Sequence, residues 1–295
     1  MAHVLRISHV AYGGIIGWTV AAVIALLFAG ASHATDRPER VVALGGAVTE
    51  IVYALGAGDR LVARDATSTW PAEAENLPNV GYVRALSPEG VLSVDPDLIL
   101  AIEGSGPVEA VDVLQGAGVP FVTVPEGYDA AAIRAKIEAV AGALGMPEAG
   151  AALANEVEVE LDRAVTDARR EEPPRVLFVL SMQGGRIMAA GGDTSAEAII
   201  ALAGGVNAME GFEGYQQLSD EAVLLSRPDV ILMMDRSGDH AADDGQIRAH
   251  PALGATPAAE SGAIVRLPGL LMLGFGPRTP QAVRALSQAF HPARG

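Results

Sequence analysis

The chain has 295 residues, of which 50% are hydrophobic and 19% charged, a composition typical of a folded protein with its own core. Aspartate and glutamate number 36 against 20 lysines and arginines, so the formal net charge is −16. This excess of acid argues against a nucleic-acid or anionic-membrane partner, because both require a basic face. The absence of cysteine excludes a disulfide framework and a lipid-modified cysteine.

The first 34 residues differ from the rest of the chain. Arg6 precedes an apolar run over residues 10–31, and Ser32 and Ala34 stand at the −3 and −1 positions of a signal-peptidase site. We therefore predict a signal peptide over residues 1–34, cleaved after about Ala34, and export to the periplasm. The apolar run is also long enough to cross a bilayer, so an uncleaved N-terminal anchor is the alternative.

Short apolar runs then alternate with helical patterns. Strands are predicted at 40–46, 96–102 and 119–125, and helices at 47–58, 108–118 and 129–145.

A long helix is predicted from Pro147 to Glu172. Apolar residues recur there every four residues with no internal proline, and the helix would extend roughly 38 Å. The run "PPRVLFVLSM" then begins a second α/β half. We predict an N-terminal lobe over 35–146, a linking helix over 147–172 and a C-terminal lobe over 173–295.

The two halves resemble each other in sequence. Residues 86–100, "LSPEGVLSVDPDLIL", and 218–232, "LSDEAVLLSRPDVIL", are identical at nine of fifteen positions, and a Gly-Tyr pair precedes each stretch. Duplication is the natural explanation. The predicted fold class is α/β, with two similar Rossmann-like lobes joined by one long interdomain helix. A ligand cleft should lie between the lobes, beyond the carboxyl ends of the strands.

Four stretches carry a resemblance to a known family: "TEIVYALGAGDRLVARD", "LPNVGYVRALSPEGVLSVDPDLIL", "LAGGVNAMEGFEGYQQLSDEAV" and "LLMLGFGPR". They resemble the periplasmic haem-binding proteins of bacterial ABC transporters, a branch of the helical-backbone substrate-binding proteins. The resemblance implies a monomer that captures haem b in the periplasm and delivers it to a dimeric ABC permease in the inner membrane. It implies no enzymatic activity.

The resemblance places the haem-iron ligand at Tyr82, in the "GYVR" stretch. A phenolate is a hard anionic donor suited to Fe(III), and tyrosine is a known axial ligand of haem iron. A nearby cation favours the deprotonated phenol, and Arg84 supplies one. If the segment is extended, Tyr82 and Arg84 project to the same side. The alternative is a tyrosine that packs on a loop beside a solvated arginine.

Four other residues are also assigned to the cleft. Tyr215, the duplicate of Tyr82, would line the opposite wall or be a relic of duplication. Some relatives have a histidine after the first strand of the second lobe, where this chain has Met182, so we expect a cleft-wall role for Met182 and five-coordinate iron. Arg236 and Arg186 are candidates to bind the haem propionates, with solvated surface arginines as the alternative. Arg278, in "GFGPR", could equally fix the last connection.

Glu89 and Glu221 form a second pair. Each follows a serine by two residues, which places both in the first turns of equivalent helices. A favourable interaction with the helix dipole explains them without any partner. In the resembling family, acidic residues at these positions dock onto arginines of the two-fold permease, and both roles are compatible.

Three alternatives are weighed against haem. A corrinoid or ferric-siderophore binder of the same fold would keep the lobes but would not need Tyr82 and Arg84. A zinc or manganese binder is disfavoured because, after residue 34, histidine occurs only at 240, 250 and 291. A periplasmic hydrolase could be imagined from Ser181, Asp193 and His240, but no catalytic motif selects them.

Overall fold

The computed structural model describes Met1 and residues 37–235 and 242–290. The predicted signal peptide lies outside the described residues, as do Arg236, His240 and His291. The described residues from Pro38 onward belong to one compact unit. Among the described residues, no helix combines the length and hydrophobicity that crossing a membrane requires.

The first lobe contains a parallel four-stranded sheet. Its order is β2-β1-β3-β4, and β1 and β3 are buried along their whole length, as expected for strands covered on both faces. The strands are β1 (Val41–Leu44), β2 (Leu61–Arg64), β3 (Leu98–Ile102) and β4 (Phe121–Val124). The helices are α1 (Gly46–Ala54), α2 (Pro88–Leu92), α3 (Val108–Gln115) and α4 (Ala130–Ala143), with short 3-10 segments at Gly58–Arg60 and Ala72–Asn76.

A 22-residue helix, α5 (Pro147–Ala168), leads from the first lobe to the second. It packs against α4 and is about 33 Å long. It ends four residues before the predicted Glu172, because residues 169–172 are charged and offer nothing to bury. Two prolines follow, and a proline disfavours helix in the residue before it.

The second lobe contains a six-stranded mixed sheet of order β10-β9-β5-β6-β8, with β7 paired to β5. Strands β5, β9 and β10 are parallel, whereas β6 and β8 run antiparallel to their neighbours. The strands are β5 (Arg175–Gln183), β6 (Arg186–Ala190), β7 (Val206–Asn207), β8 (Tyr215–Leu218), β9 (Val230–Asp235) and β10 (Ile264–Pro268). The helices are α6 (Ser195–Leu202), α7 (Asp220–Ser226), α8 (Asp244–Ala249), α9 (Pro257–Ser261), α10 (Gly269–Leu273) and α11 (Thr279–Phe290).

Alternation along β5 divides the core of the second lobe between two faces. Val176 and Phe178 join the large core that also contains the first lobe and α5, whereas Leu177 and Val179 join a smaller core on the other face. The large core is therefore continuous from one lobe to the other through the linking helix. The predicted α/β fold with two lobes and a connecting helix is confirmed, and the exact lobe boundaries stay predictions.

The first strand of each lobe is held by an equivalent aspartate. The Asp97 carboxylate accepts a hydrogen bond from the backbone N–H of Arg40 at 3.0 Å, and the Asp229 carboxylate accepts one from Arg175 at 2.8 Å. Each aspartate N–H donates back to the carbonyl of the same arginine, at 2.9 Å and 2.8 Å. The two aspartates stand at matching positions of the repeated fifteen residues, which supports the predicted duplication.

Helices α2 and α7 also begin alike. The Ser87 hydroxyl accepts from the N–H of Gly90 and the Ser219 hydroxyl from that of Ala222, so both predicted N-caps are present. Beyond the ends of the two helices, the matching residues Asp95 and Arg227 adopt left-handed backbone with φ of 50° and 40°.

Candidate functional site

A cavity of about 720 Å³ lies between the two sheets. Most of its wall is formed by residues near the carboxyl ends of β1 to β5, β9 and β10, where the fold class predicts a ligand cleft. The segment 82–84, Ser195 at the start of α6 and Tyr215 at the start of β8 complete the wall. The first lobe contributes Gly45, Thr67, Tyr82, Arg84, Glu126 and Tyr128. The second lobe contributes Leu180, Ser195, Tyr215, Met234, Leu270 and Gly274.

The loop after β2 is built around Asp65, whose side chain is fully buried. The carboxylate accepts hydrogen bonds from the N–H of Gly45 at 3.0 Å, from the N–H and hydroxyl of Thr67 at 2.9 and 2.8 Å, and from the Ser68 hydroxyl at 2.7 Å. These four bonds satisfy the buried charge and join the loop to the start of α1. Asp65 is not among the site residues predicted from the sequence, although an aspartate followed two residues later by threonine is a known turn signal.

Tyr82 and Arg84 both line the cavity. They do not lie on an extended segment as predicted: the N–H of Ala85 donates to the carbonyl of Tyr82 at 2.8 Å, which closes a turn. Val83, between them, is buried and anchors this turn in the core. The Arg84 guanidinium donates to the carbonyl of Gly104 at 3.3 Å, and the Tyr82 side chain remains 49% exposed. The prediction of an extended backbone was therefore wrong. Tyr82 and Arg84 nevertheless line the same cavity.

Three of the four tyrosines in the described residues line this cavity, and Tyr53 is the exception. The Tyr215 hydroxyl lies 3.5 Å from that of Ser195. Burial raises the pKa of Tyr128 above its ordinary value of 10.0, the Glu126 carboxylate raises it further, and Arg84 lowers it. The Tyr128 phenol therefore keeps its proton at neutral pH, so it can donate a hydrogen bond.

Met182 and Arg186 do not line the cavity formed by the described residues. Strand β5 continues through Met182 to Gln183, turns at Gly184–Gly185 and returns as β6, with Gln183 opposite Arg186. Met182 packs against the smaller core, and Arg186 is exposed at the start of β6. The hairpin from β5 to β6 explains why both residues lie away from the cavity that they are predicted to line.

Arg278 joins the lobes instead of lining the cavity. Its guanidinium donates to the Glu50 carboxylate at 2.8 Å and its N–H donates to the other carboxylate oxygen at 3.0 Å. Glu50 is on α1 of the first lobe, and its side chain is only 6% exposed. The guanidinium also lies 4.3 Å from the centre of the Trp70 ring, as in a cation–π contact. Of the two roles weighed for Arg278, the geometry supports the fixing of a connection.

Glu89 and Glu221 are exposed in the first turns of α2 and α7. No hydrogen bond or ion pair within the described part of the chain occupies either carboxylate. Both side chains are therefore accessible to a partner.

His250 and Ser181 are the described residues among the candidates for a metal or hydrolytic site, together with Asp193. His250 is buried, with Nε2 at 3.0 Å from the carbonyl of Gly185 and Nδ1 accepting from the N–H groups of Ala252 and Leu253. Ser181 lies within β5, opposite Met188 of β6. Within residues 37–235 and 242–290, no group of three or more histidine, aspartate or glutamate side chains could hold a metal ion.

Comparison with known proteins gives one family match and three similar proteins. A family model described as periplasmic binding protein matches residues 41–270. The chain is 42% identical to the solved periplasmic heme-binding protein BhuT in complex with two hemes, with a TM-score of 0.80 over 85% of this chain and 98% of that one. For the apo form of the periplasmic heme-binding protein RhuT from Roseiflexus sp. RS-1, the identity is 39% and the TM-score 0.82, over 86% and 98%. The vitamin B12-binding protein of Yersinia pseudotuberculosis is 29% identical over 214 residues, which cover 72% of this chain and 75% of that protein.

Proposed function

The chain belongs to the periplasmic binding protein family, whose members deliver ligands to ABC transporter permeases, and we propose that its ligand is haem. The observation that carries the proposal is the placement of Tyr82 and Arg84 on one turn in the wall of the interlobe cavity. The cavity volume, about 720 Å³, falls within the ~300–1,000 Å³ typical of small-molecule and cofactor sites. The solved heme-binding relatives support the same ligand class.

Tyr82 would bind the ferric iron through its phenolate oxygen. A free phenol keeps its proton at neutral pH, so iron binding would have to displace that proton. Arg84 lines the same cavity and supplies a positive charge there. The Tyr82 side chain is half exposed before a ligand arrives, which leaves its oxygen accessible. Five-coordinate iron, with Tyr82 as the protein ligand, stays a prediction.

The propionates need local positive charge in an acidic protein. Arg84 lines the cavity and is one candidate. Arg236 follows β9, whose last residue, Asp235, lines the cavity, and its propionate role stays a prediction. Arg186 and Met182 do not enter the proposal. Tyr215 is a wall residue on the second lobe, where its ring can contact a porphyrin face.

A corrinoid is the second candidate, and the similarity to a vitamin B12-binding protein favours it. Side-by-side titration with hemin and cobalamin separates the two. We expect a saturable hemin complex with a shifted Soret band, and at least ~100-fold weaker binding of cobalamin, because a corrinoid gains nothing from a phenolate ligand. Tight cobalamin binding together with weak hemin binding would overturn the proposal.

We propose that the exposed carboxylates of Glu89 and Glu221 dock onto the permease, one from each lobe. The double variant Glu89→Gln/Glu221→Gln should slow haem transfer to the permease in proteoliposomes about tenfold at low salt, and less at high salt, because salt screens the attraction. Hemin affinity should not change. Glu148→Gln, at another exposed helix start, is the matched control. Transfer by the double variant at the rate of the control would contradict the docking role.

The predicted location of the mature protein follows from the same proposal. We infer cleavage after about Ala34 and a monomeric carrier of haem b in the periplasm.

A further inference from the structure

Lys136 is the only lysine in the chain, and its side chain is fully buried on α4 of the first lobe. Its ammonium group donates to the Glu126 carboxylate at 2.9 Å and to the carbonyl of Gly274 at 3.3 Å. Glu126 lines the cavity from the first lobe and Gly274 lines it from the second. One buried cation therefore binds both walls of the cavity.

The surroundings of Lys136 do not require a charged residue. Its neighbours on the buried face of α4 are Ile133, Ile137 and Val140, so an unbranched apolar side chain would suit the helix. Burying an ammonium group costs free energy unless partners replace water, and lysine is among the residues least often fully buried. The position of this charge is explained by the two groups that it binds.

A second contact joins the same two segments. The ring of Tyr128 packs against that of Phe275, with 5.3 Å between the ring centres. The carboxylate of Glu126 also accepts a hydrogen bond from the N–H of Gly127 at 3.2 Å, which fixes the loop between Glu126 and Tyr128. Residues 126–128 of the first lobe and 274–275 of the second thus meet through a charged bond and an aromatic contact.

We propose that Lys136 is a positioning residue for the ligand, which holds the two cavity walls at the separation that a flat porphyrin requires. This inference rests on the proposed function for the identity of the ligand, but not for the contact itself. A planar ligand must contact both walls at once, so walls already held at the bound spacing avoid the cost of being ordered on binding. Without the bond to Gly274, the spacing should vary more and the ligand should dissociate faster.

The main test is the double variant Glu126→Leu/Lys136→Met. Lys136 is fully buried and Glu126 is 29% exposed. Replacing both members of such a pair with apolar residues is often neutral for stability, whereas Lys136→Met alone leaves the Glu126 carboxylate without its cation. The double variant should therefore fold, yet lack the bond to Gly274. Glu126→Gln separates this effect from a direct contact between Glu126 and the ligand, because its amide oxygen still accepts from Lys136.

Arg134→Met is the matched control on the same helix. Arg134 forms ion pairs with Glu138 and Glu158, neither of which belongs to the second lobe, and its side chain is partly exposed. Loss of these pairs should leave the cavity walls in place.

Two measurements decide the matter. Because the chain has no cysteine, paired spin labels at Val113→Cys and Leu225→Cys, on exposed sites of α3 and α7, report the distance between lobes without background labelling. In the ligand-free double variant this distance distribution should broaden, and the hemin dissociation rate should rise roughly tenfold. Arg134→Met should resemble the wild type in both. Glu126→Gln should keep the wild-type distance distribution and should release hemin more slowly than the double variant does.

Two results would overturn the proposal: an unchanged distance distribution in the double variant, or an equal loss of hemin affinity in Glu126→Gln. If the wild type fails to bind hemin, the proposed function is wrong, and the distance distributions still decide the role of Lys136.

Discussion

Replacing Tyr82 with phenylalanine should lower the affinity for ferric haem by at least ~100-fold. Removal of a partner that only orients a metal ligand typically costs 10–100-fold, and loss of the ligand itself should cost no less. Phenylalanine keeps the ring and its contacts, so the turn from Tyr82 to Ala85 should persist. Hemin titration followed by visible absorbance and by competition with a haem acceptor measures the change.

Tyrosines elsewhere on the cavity wall provide the controls for this variant. Within the described residues, the Tyr215 hydroxyl has a single long contact, 3.5 Å from the Ser195 hydroxyl, and Tyr128 keeps its proton at neutral pH. Phenylalanine at either position should change hemin affinity less than Tyr82→Phe does and should leave the spectrum of the iron unchanged. A Tyr82→Phe protein with wild-type affinity and spectrum would remove Tyr82 from the site.

Replacing Arg278 with methionine should lower the free energy of unfolding by about 3–5 kcal/mol, because it leaves a buried carboxylate without its cation. Glu50 is 6% exposed, and both of its carboxylate oxygens bind Arg278. The contact with Trp70 is lost as well. Urea denaturation monitored by circular dichroism provides the comparison.

Two further variants make the Arg278 result specific. Arg284→Met breaks an ion pair with Glu160 in which both side chains are about two-fifths exposed, so it should cost at most ~1 kcal/mol. Glu50→Leu/Arg278→Met removes the buried carboxylate together with its partner and should recover much of the lost stability. If Arg278→Met has the same free energy of unfolding as Arg284→Met, the ion pair between Glu50 and Arg278 does not stabilise the protein by the expected amount.

Much of the fold could be predicted because local signals agreed with the tertiary structure. The short apolar runs over β1 and β3 are typical of buried strands and of no other element. The N-caps Ser87 and Ser219 mark the starts of the helices that follow them. The repeated fifteen residues also predicted two similar lobes. The cavity position then followed from the rule that ligands bind beyond the carboxyl ends of parallel strands.

The misplaced residues have a local cause. Met182 and Arg186 are predicted to lie in the cleft, although Gly184–Gly185 is a dipeptide typical of hairpin turns and separates the two strands. The turn at Tyr82 was hidden for a different reason. The hydrogen bond from Ala85 to Tyr82 closes a turn around Val83, which is buried. A single valine in a short segment does not reveal from sequence that it is buried.

The interlobe contacts could not be predicted from sequence. Lys136 and Gly274 are 138 residues apart, and Glu50 and Arg278 are 228 residues apart. Each residue alone resembles a solvated charge or a loop glycine. Only the packing of the two lobes brings these groups together and buries them.

The most direct test of Tyr82 as the iron ligand is resonance Raman spectroscopy of the hemin complex, with protein produced in cells that are supplied with ring-deuterated tyrosine. Vibrations of an iron-bound phenolate should appear in the wild type, shift with the isotope and disappear in Tyr82→Phe. Their absence from the wild type, or their survival in Tyr82→Phe, would contradict the assignment of Tyr82 as the iron ligand.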